Sequence, residues 1–368
     1  MNALILILTT CFWLPCPHVF AASVSSALLK AKQQAESKGY VFVASREEIL
    51  AKAKKEGKLH VQNGFRETLR ASTDAFRKQY PFIDLDAETV RGVADSQRVL
   101  LEIKAGAAKD RDILRTHPDI YSQWEPYLWK VDLLGMAEHR VLGINPKMID
   151  PQNRNVMALG SRFAAVAYNK TLVSPNQVPK SWEDMLKPEW KGRKFGVDVN
   201  PQEIAGLVPV WGLEKTLDYA RKLAAQQPIW SYGGTRSVMA VALGQIPLFL
   251  FGANYNVVRL VQRKDSLGVL QYTIVEPVPL RVTTEQAIAS TSRNAHAALL
   301  WLEFMVSAEA QKLIDEHEPF AASFYSKGSF IEQELRNKKL SVIDWHNNEK
   351  AEQWLAKIVE ALSFPKAN

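Results

Sequence analysis

Tyr255 stands between Asn254 and Asn256, just after a dense apolar run from Ile246 to Phe251 and just ahead of an amphipathic segment. A phenol held between two amides at such a junction can ligate a hard metal ion, hydrogen-bond a polar ligand, or simply end a strand. Two further stretches could do chemistry of a related kind. Asn200-Pro201-Gln202-Glu203 and Gly233-Gly234-Thr235-Arg236 each follow an expected strand and open a helix. A helix N-terminus offers free N–H groups and a favourable dipole, so it suits an anion. Templates for catalysis are absent: there is no His-Glu-x-x-His, Gly-x-Ser-x-Gly, P-loop or dinucleotide glycine fingerprint. The seven histidines are dispersed, and most carboxylates alternate with Lys or Arg at helical spacing, as on a solvated face. The expectation is a binding protein with no cofactor, and a hydrolase of phosphate esters is the rival from another class.

These residues need a scaffold. Ser45 with Glu48 forms a capping box ahead of a helix from Glu47 to Lys55, and Gly57 suits its left-handed end. Strands are expected over Lys58–Gln62, Ile83–Glu88 and Asp112–Leu114, with a helix from Gln97 to Ala105 opening after the loop at Gly92–Ser96. The middle of the chain repeats the pattern. Strands are expected at Phe163–Tyr168, Phe195–Asp198 and Ile246–Phe251, with helices at Leu213–Ala225, Thr235–Ala242 and Tyr255–Arg263. A capping box at Ser181 and Asp184 starts another helical turn, and the last helix spans Glu349–Ala361. Alternating strands and helices predict α/β architecture with mostly parallel sheets covered on both faces. Ligands then sit beyond the carboxyl ends of the strands, so the loops Gly64–Glu67, Val93–Gln97 and Arg115–Asp119 should share a rim.

Composition narrows the class. The chain has 368 residues, 47% hydrophobic and 23% charged, which excludes disorder, collagen and coiled coil as the main architecture. Its net charge of +7 is scattered rather than massed into a stripe, so nucleic acid is not expected. Leu4–Leu14 is uncharged and too short for a comfortable membrane span. Small residues follow at Ala21-Ala22-Ser23, so residues 1–22 read as a cleaved secretory signal. Both cysteines, Cys11 and Cys16, fall inside it. The mature protein is therefore expected in the periplasm without disulfides or thiolate sites.

Four stretches carry a resemblance: EEILAKAKKEGKLHV (Glu47–Val61), YNKTLV (Tyr168–Val173), PKSWEDMLKPEWKGRKFGVD (Pro179–Asp198) and WLEFMVSAEAQKLI (Trp301–Ile314). In this order they resemble the ferric-iron-binding family of bacterial periplasmic solute-binding proteins. The resemblance implies a type II periplasmic binding protein fold, with two α/β lobes joined by two hinge strands near 158–169 and 274–290. It places an N-terminal extension at 23–46, lobe 1 at 47–160 and 284–368, and lobe 2 at 161–283. The implied role is capture of a small ligand between the lobes and delivery to the membrane permease of an ABC importer, by a monomer. A sensor subunit of the same fold is the alternative.

In that family a histidine and a glutamate of the first lobe and two adjacent tyrosines of the second hold iron. Those positions fall at Arg66, His117, Tyr255 and Asn256, and only Tyr255 matches. Arg66 is a permanent cation and no metal ligand. The preferred ligand is therefore a small organic anion (organophosphate, phosphonate or carboxylate), with Arg66 as its charge clamp. Ser96, Gln97, His117, Gln202, Gly234, Thr235, Tyr255 and Asn256 complete the expected contacts. Ferric iron on Tyr255 and His117 is the alternative. The plainest reading of Arg66 pairs it with Glu67 or Glu102, and Glu203 either satisfies a helix dipole or faces the cleft.

Overall fold

The computed structural model describes residues 26–107, 110–117, 120–318 and 320–363, apart from the side chain of residue 349. The segment read as a secretory signal lies outside them. Among the described residues no helix is long and apolar enough to cross a membrane.

Local signals become elements where capping chemistry is complete. The Ser45 hydroxyl accepts the Glu48 N–H, and Gly57 closes the helix Arg46–Glu56 at φ 66°. The strands are β1 (Lys58–Asn63), β2 (Asp84–Thr89), β3 (Ile113–Arg115), β4 (Val156–Phe163), β5 (Val166–Asn169), β6 (Gly196–Asp198), β7 (Ile229–Ser231), β8 (Leu248–Leu250), β9 (Leu270–Thr273), β10 (Val278–Ile288) and β11 (Leu340–Ile343).

They form two sheets. One runs β11-β10-β3-β1-β2 with β4 also on β10, and the other runs β7-β6-β8-β5-β9. Pairing within β2-β1-β3 and within β7-β6-β8 is parallel, and it turns antiparallel where β10 and β5 join. Both sheets are therefore mixed, each with a parallel set of three strands at one side. The two crossings are β4, which leads straight into β5, and β10, which returns from β9. They pair antiparallel from Leu280↔Phe163 to Ala287↔Val156. This is the two-lobed α/β fold of type II periplasmic binding proteins.

Helices cover both faces of each sheet. Ile49, Phe76 and Trp301 pack under the first sheet, and the Trp301 indole donates to Gln286 Oε1 at 3.1 Å. The N-terminal extension docks on the first lobe. The helix Ser26–Ser37 buries Ala35, and Phe42 and Val43 enter the same core. The C-terminal helix Trp345–Leu362, grouped by sequence with the first lobe, places Leu355, Ile358 and Leu362 among Trp182, Ile204 and Tyr219 of the second. Its apolar stripe covers the helix Leu213–Ala225. The chain thus crosses a third time, between β11 and this helix.

Candidate functional site

In the first lobe the loop after β1 is shaped by Asn63, whose Oδ1 accepts the Phe65 N–H at 3.1 Å. A Cβ at Gly64 would sit 2.8 Å from Arg115 Nε and Thr284 Cγ2, so glycine lets the loop pass the crossing strand. Phe65 is buried there. Arg66 points away: its side chain is 65% exposed and lies 3.9 Å from Glu67. The plain pairing is the one present, and it is a weak surface contact.

Ser96 and Gln97 do not open a helix. Gly92 takes φ 63° and starts the helix Gly92–Lys104 one turn earlier. Asp95 then accepts the Arg91 N–H at 3.0 Å, placing the protein's own carboxylate at that helix start. Ser96 is buried and donates to the Arg115 carbonyl at 3.3 Å. Gln97 is exposed. His117 follows β3 half-buried, its carbonyl accepting the Ile120 N–H.

The second-lobe rim is tied by one carboxylate. Asp198 Oδ1 accepts the Asn200 N–H at 2.8 Å and Oδ2 accepts the Gly233 N–H at 3.1 Å, joining the loops after β6 and β7. Burial pushes the Asp198 carboxyl up, and these two donors oppose the rise. Gly234 opens the helix Gly234–Ala242 against the β8 loop, where a Cβ would fall 2.2 Å from the Gly252 carbonyl oxygen. Thr235 is exposed one position on. Asp198→Ala leaves both N–H groups unmet and should destabilise by about 1–3 kcal/mol in urea unfolding, while Asp198→Asn, which keeps one acceptor, costs less.

At the crossing, Arg162, Gln202, Glu203, Asn254 and Arg281 line a small cavity with the Pro279–Leu280 backbone. Arg162 and Arg281 are register partners on β4 and β10. Arg162 Nη2 donates to Gln202 Oε1 at 2.6 Å. Glu203 is 9% exposed; burial pushes its carboxyl up, against the pull of Arg162 and a bond from Asn254. Glu203 therefore faces the crossing. The two arginines escaped the sequence reading, although a cation inside a strand buried along nearly its whole length (VMALGSRF, VPLRVTTEQAI) is a legible signal.

Tyr255 begins the helix Tyr255–Gln262 and is 2% exposed. Its ring stacks on Phe163 at 4.6 Å and meets Tyr272 and Phe320 edge-on at 5.4 Å. Its hydroxyl donates to Glu334 Oε1 at 3.0 Å, and Tyr272 donates to the same oxygen at 3.2 Å. The Arg259 guanidinium lies 5.9 Å from the Tyr255 ring centre and 5.8 Å from that of Tyr272. Burial pushes both phenols up, and the Glu334 carboxylate adds to the rise. Asn256 is half-buried, its Oδ1 without a partner among the described residues. Two phenols and a carboxylate thus converge as hard oxygen donors. Tyr272 and Glu334 were not read from sequence, being 62 residues apart and bonded only through the fold. Among the described residues no group of three or more His, Cys, Asp or Glu could hold a metal ion. A metal at this place would have to draw on the phenols.

Comparison with known proteins agrees with this architecture. The chain is 21% identical over 243 residues to the Fe(3+)-binding periplasmic protein of Serratia marcescens, covering 63% of this chain and 69% of that one. The ferric iron-binding protein A of Mannheimia haemolytica in an open conformation superposes with a TM-score of 0.65 at 19% identity, over 84% of this chain and 100% of that one. IdiA (FutA) of Trichodesmium in complex with iron and citrate ligands gives 0.62 at 19% identity, over 83% and 98%. Residues 140–350 match the model of the bacterial extracellular solute-binding proteins. With more than half of its length matched, the chain belongs to that family, whose members bind solutes for transport and are not enzymes.

Proposed function

We propose that this protein captures ferric iron in the periplasm and delivers it to the membrane permease of an ABC importer. The observation that carries the reading is the convergence of Tyr255 and Tyr272 on Glu334 Oε1, at 3.0 and 3.2 Å. Fe(III) is a hard acid, and phenolate and carboxylate oxygens suit it. The relatives named for ferric iron support the same choice over an organic anion. Arg66, the reason for expecting an anion, lies out on the surface beside Glu67. A ligand that engages both lobes would favour the closed form by its differential affinity, and the closed form is what the permease would read.

Binding has a proton cost. Both phenols are pushed up by burial, so each stays protonated until the metal displaces its proton. Apparent affinity should fall as pH falls, by about tenfold per pH unit for each proton released. Thermal unfolding with ferric citrate, compared at about pH 8 and pH 6, checks this. Iron at 100 times its dissociation constant should stabilise by about 2.7 kcal/mol, less at the lower pH, and iron-free citrate should do nothing. Equal shifts with and without iron would sink the proposal.

One observation favours a second reading: Arg162 and Arg281 both line the crossing cavity, which suits a small anion. A melting shift with an iron-free organophosphate, lost in Arg162→Ala, would select it.

A further inference from the structure

A second, small polar cavity lies where three parts of the chain meet. Its walls include Tyr121 of the helix Tyr121–Trp124, Asp150 and Asn153 ahead of β4, Glu285 of β10, and Trp345 and Asn348 from the start of the C-terminal helix. Farther along, that helix packs on the second lobe, but at its start Trp345 packs, like Tyr121, against the core of the first. The cavity therefore lies against the first lobe, at the start of the helix. It shares no lining residue with the tyrosine cluster or the crossing cavity.

Three of these side chains carry a buried polar atom with no hydrogen-bond partner among the described residues: Tyr121 Oη, Trp345 Nε1 and Asn348 Oδ1. Asn348 is only 6% exposed; its amide reaches Glu285 Oε1 at 3.4 Å, which leaves the carbonyl oxygen unmet. Native proteins seldom leave such groups unsatisfied, so three in one cavity call for an occupant. An indole N–H only donates, an amide carbonyl only accepts, and a phenol does either. The occupant must therefore both donate and accept.

Charge narrows it further. Asp150 and Glu285 are in the wall with His346, and no Lys or Arg lines it among the described residues. Burial first, and then the fields of Asp150, Glu125 and Glu285, push the Tyr121 phenol well above its ordinary value. Asp150 Oδ1 and Oδ2 are already bonded by the Gln152 N–H at 2.9 Å and the Asn153 amide at 2.6 Å, so it is held in place. A carboxylate accepts more than one bond per oxygen, and aromatic walls favour a cation.

The geometry points to a second ligand site, for a small ammonium ion that also carries an oxygen acceptor, the chemistry of an amino alcohol. Its N–H groups meet Asn348 Oδ1, Tyr121 Oη and the Asp150 carboxylate, and its oxygen takes the Trp345 N–H. This inference does not depend on the ferric reading.

Ethanolamine is the probe. The test follows the Trp345 indole N–H resonance, identified by its loss in Trp345→Phe, together with thermal unfolding. The expected result is a saturable shift of that resonance and a rise in melting temperature, with no response to ethanol or acetate. Tyr121→Phe, which removes one hydroxyl from a half-buried ring, should weaken ethanolamine by about tenfold or more. Tyr255→Phe should leave the response unchanged. A Trp345 resonance unmoved by ethanolamine, moved equally by ethanol, or moved as before in Tyr121→Phe would overturn the inference and leave the cavity to water.

Discussion

Tyr255→Phe should abolish iron capture while leaving the protein folded. The substitution removes one oxygen and keeps the ring that stacks on Phe163 and meets Tyr272 and Phe320. Glu334 Oε1 retains its bond from Tyr272, so the stability lost should be about 1 kcal/mol, the usual net worth of one hydrogen bond. Loss of a donor oxygen acts directly on the metal. Changes to groups that merely support a metal ligand already weaken sites by about 10–100-fold, so affinity should drop by more than about 100-fold. Tyr272→Phe should behave alike, and Arg66→Ala should not, because Arg66 is a surface residue beside Glu67. Competition titration against a chelator, with unfolding curves for each variant, separates lost binding from lost fold. Full iron affinity in Tyr255→Phe would remove the cluster from consideration.

Trp182→Ala should cost the most stability of any single change considered. Trp182 is fully buried, stacks on Phe251 at 4.6 Å and donates its indole N–H to the Pro277 carbonyl at 3.0 Å. The Tyr219 hydroxyl in turn donates to the Trp182 carbonyl at 3.0 Å. The residue thus ties the capping-box turn to the entry to β10 through its side chain and to the helix Leu213–Ala225 through its carbonyl. Deleting a buried Trp costs about 3–5 kcal/mol. At about 2–4 °C per kcal/mol for a unit of 150–250 residues, that lowers the melting temperature by about 6–20 °C. Trp182→Phe keeps the stack and leaves the Pro277 carbonyl unmet, so it should fall between the two. A loss under about 1 kcal/mol in Trp182→Ala, by urea unfolding, would contradict this packing account.

Local chemistry was legible where a few adjacent residues decide the outcome. The Ser45 cap, the Ser181 capping box and the left-handed Gly57 were readable from neighbouring residue types, although Glu48 pairs with Lys52 instead of closing a box on Ser45. Even there tertiary context intervened. Ser181 and Asp184 do cap each other, but the turn they open is 3-10 and ends at Leu186, where Pro188 follows. The last helix begins at Trp345 rather than Glu349, because Asp344 accepts the His346 N–H ahead of a polar stretch with no apolar period. The crossings, placed near 158–169 and 274–290 by the family resemblance, fall at β4 and β10.

The site was less so. Tyr255 was found by its position after an apolar strand, yet its partner Glu334 lies 79 residues away. Only the fold brings them together, and periodicity carries no trace of such a contact. Ser96 looked like a donor at a helix start until Gly92 moved that start and buried its hydroxyl against Arg115.

The central claim, that Tyr255 and Tyr272 supply phenolate oxygens to ferric iron, meets its most direct test in a visible-absorption titration of the iron-free protein with Fe(III). A phenolate-to-iron charge-transfer band should grow to saturation at one equivalent and vanish in the Tyr255→Phe, Tyr272→Phe double variant. A titration that leaves the protein colourless, or a band that survives the double substitution, would contradict it.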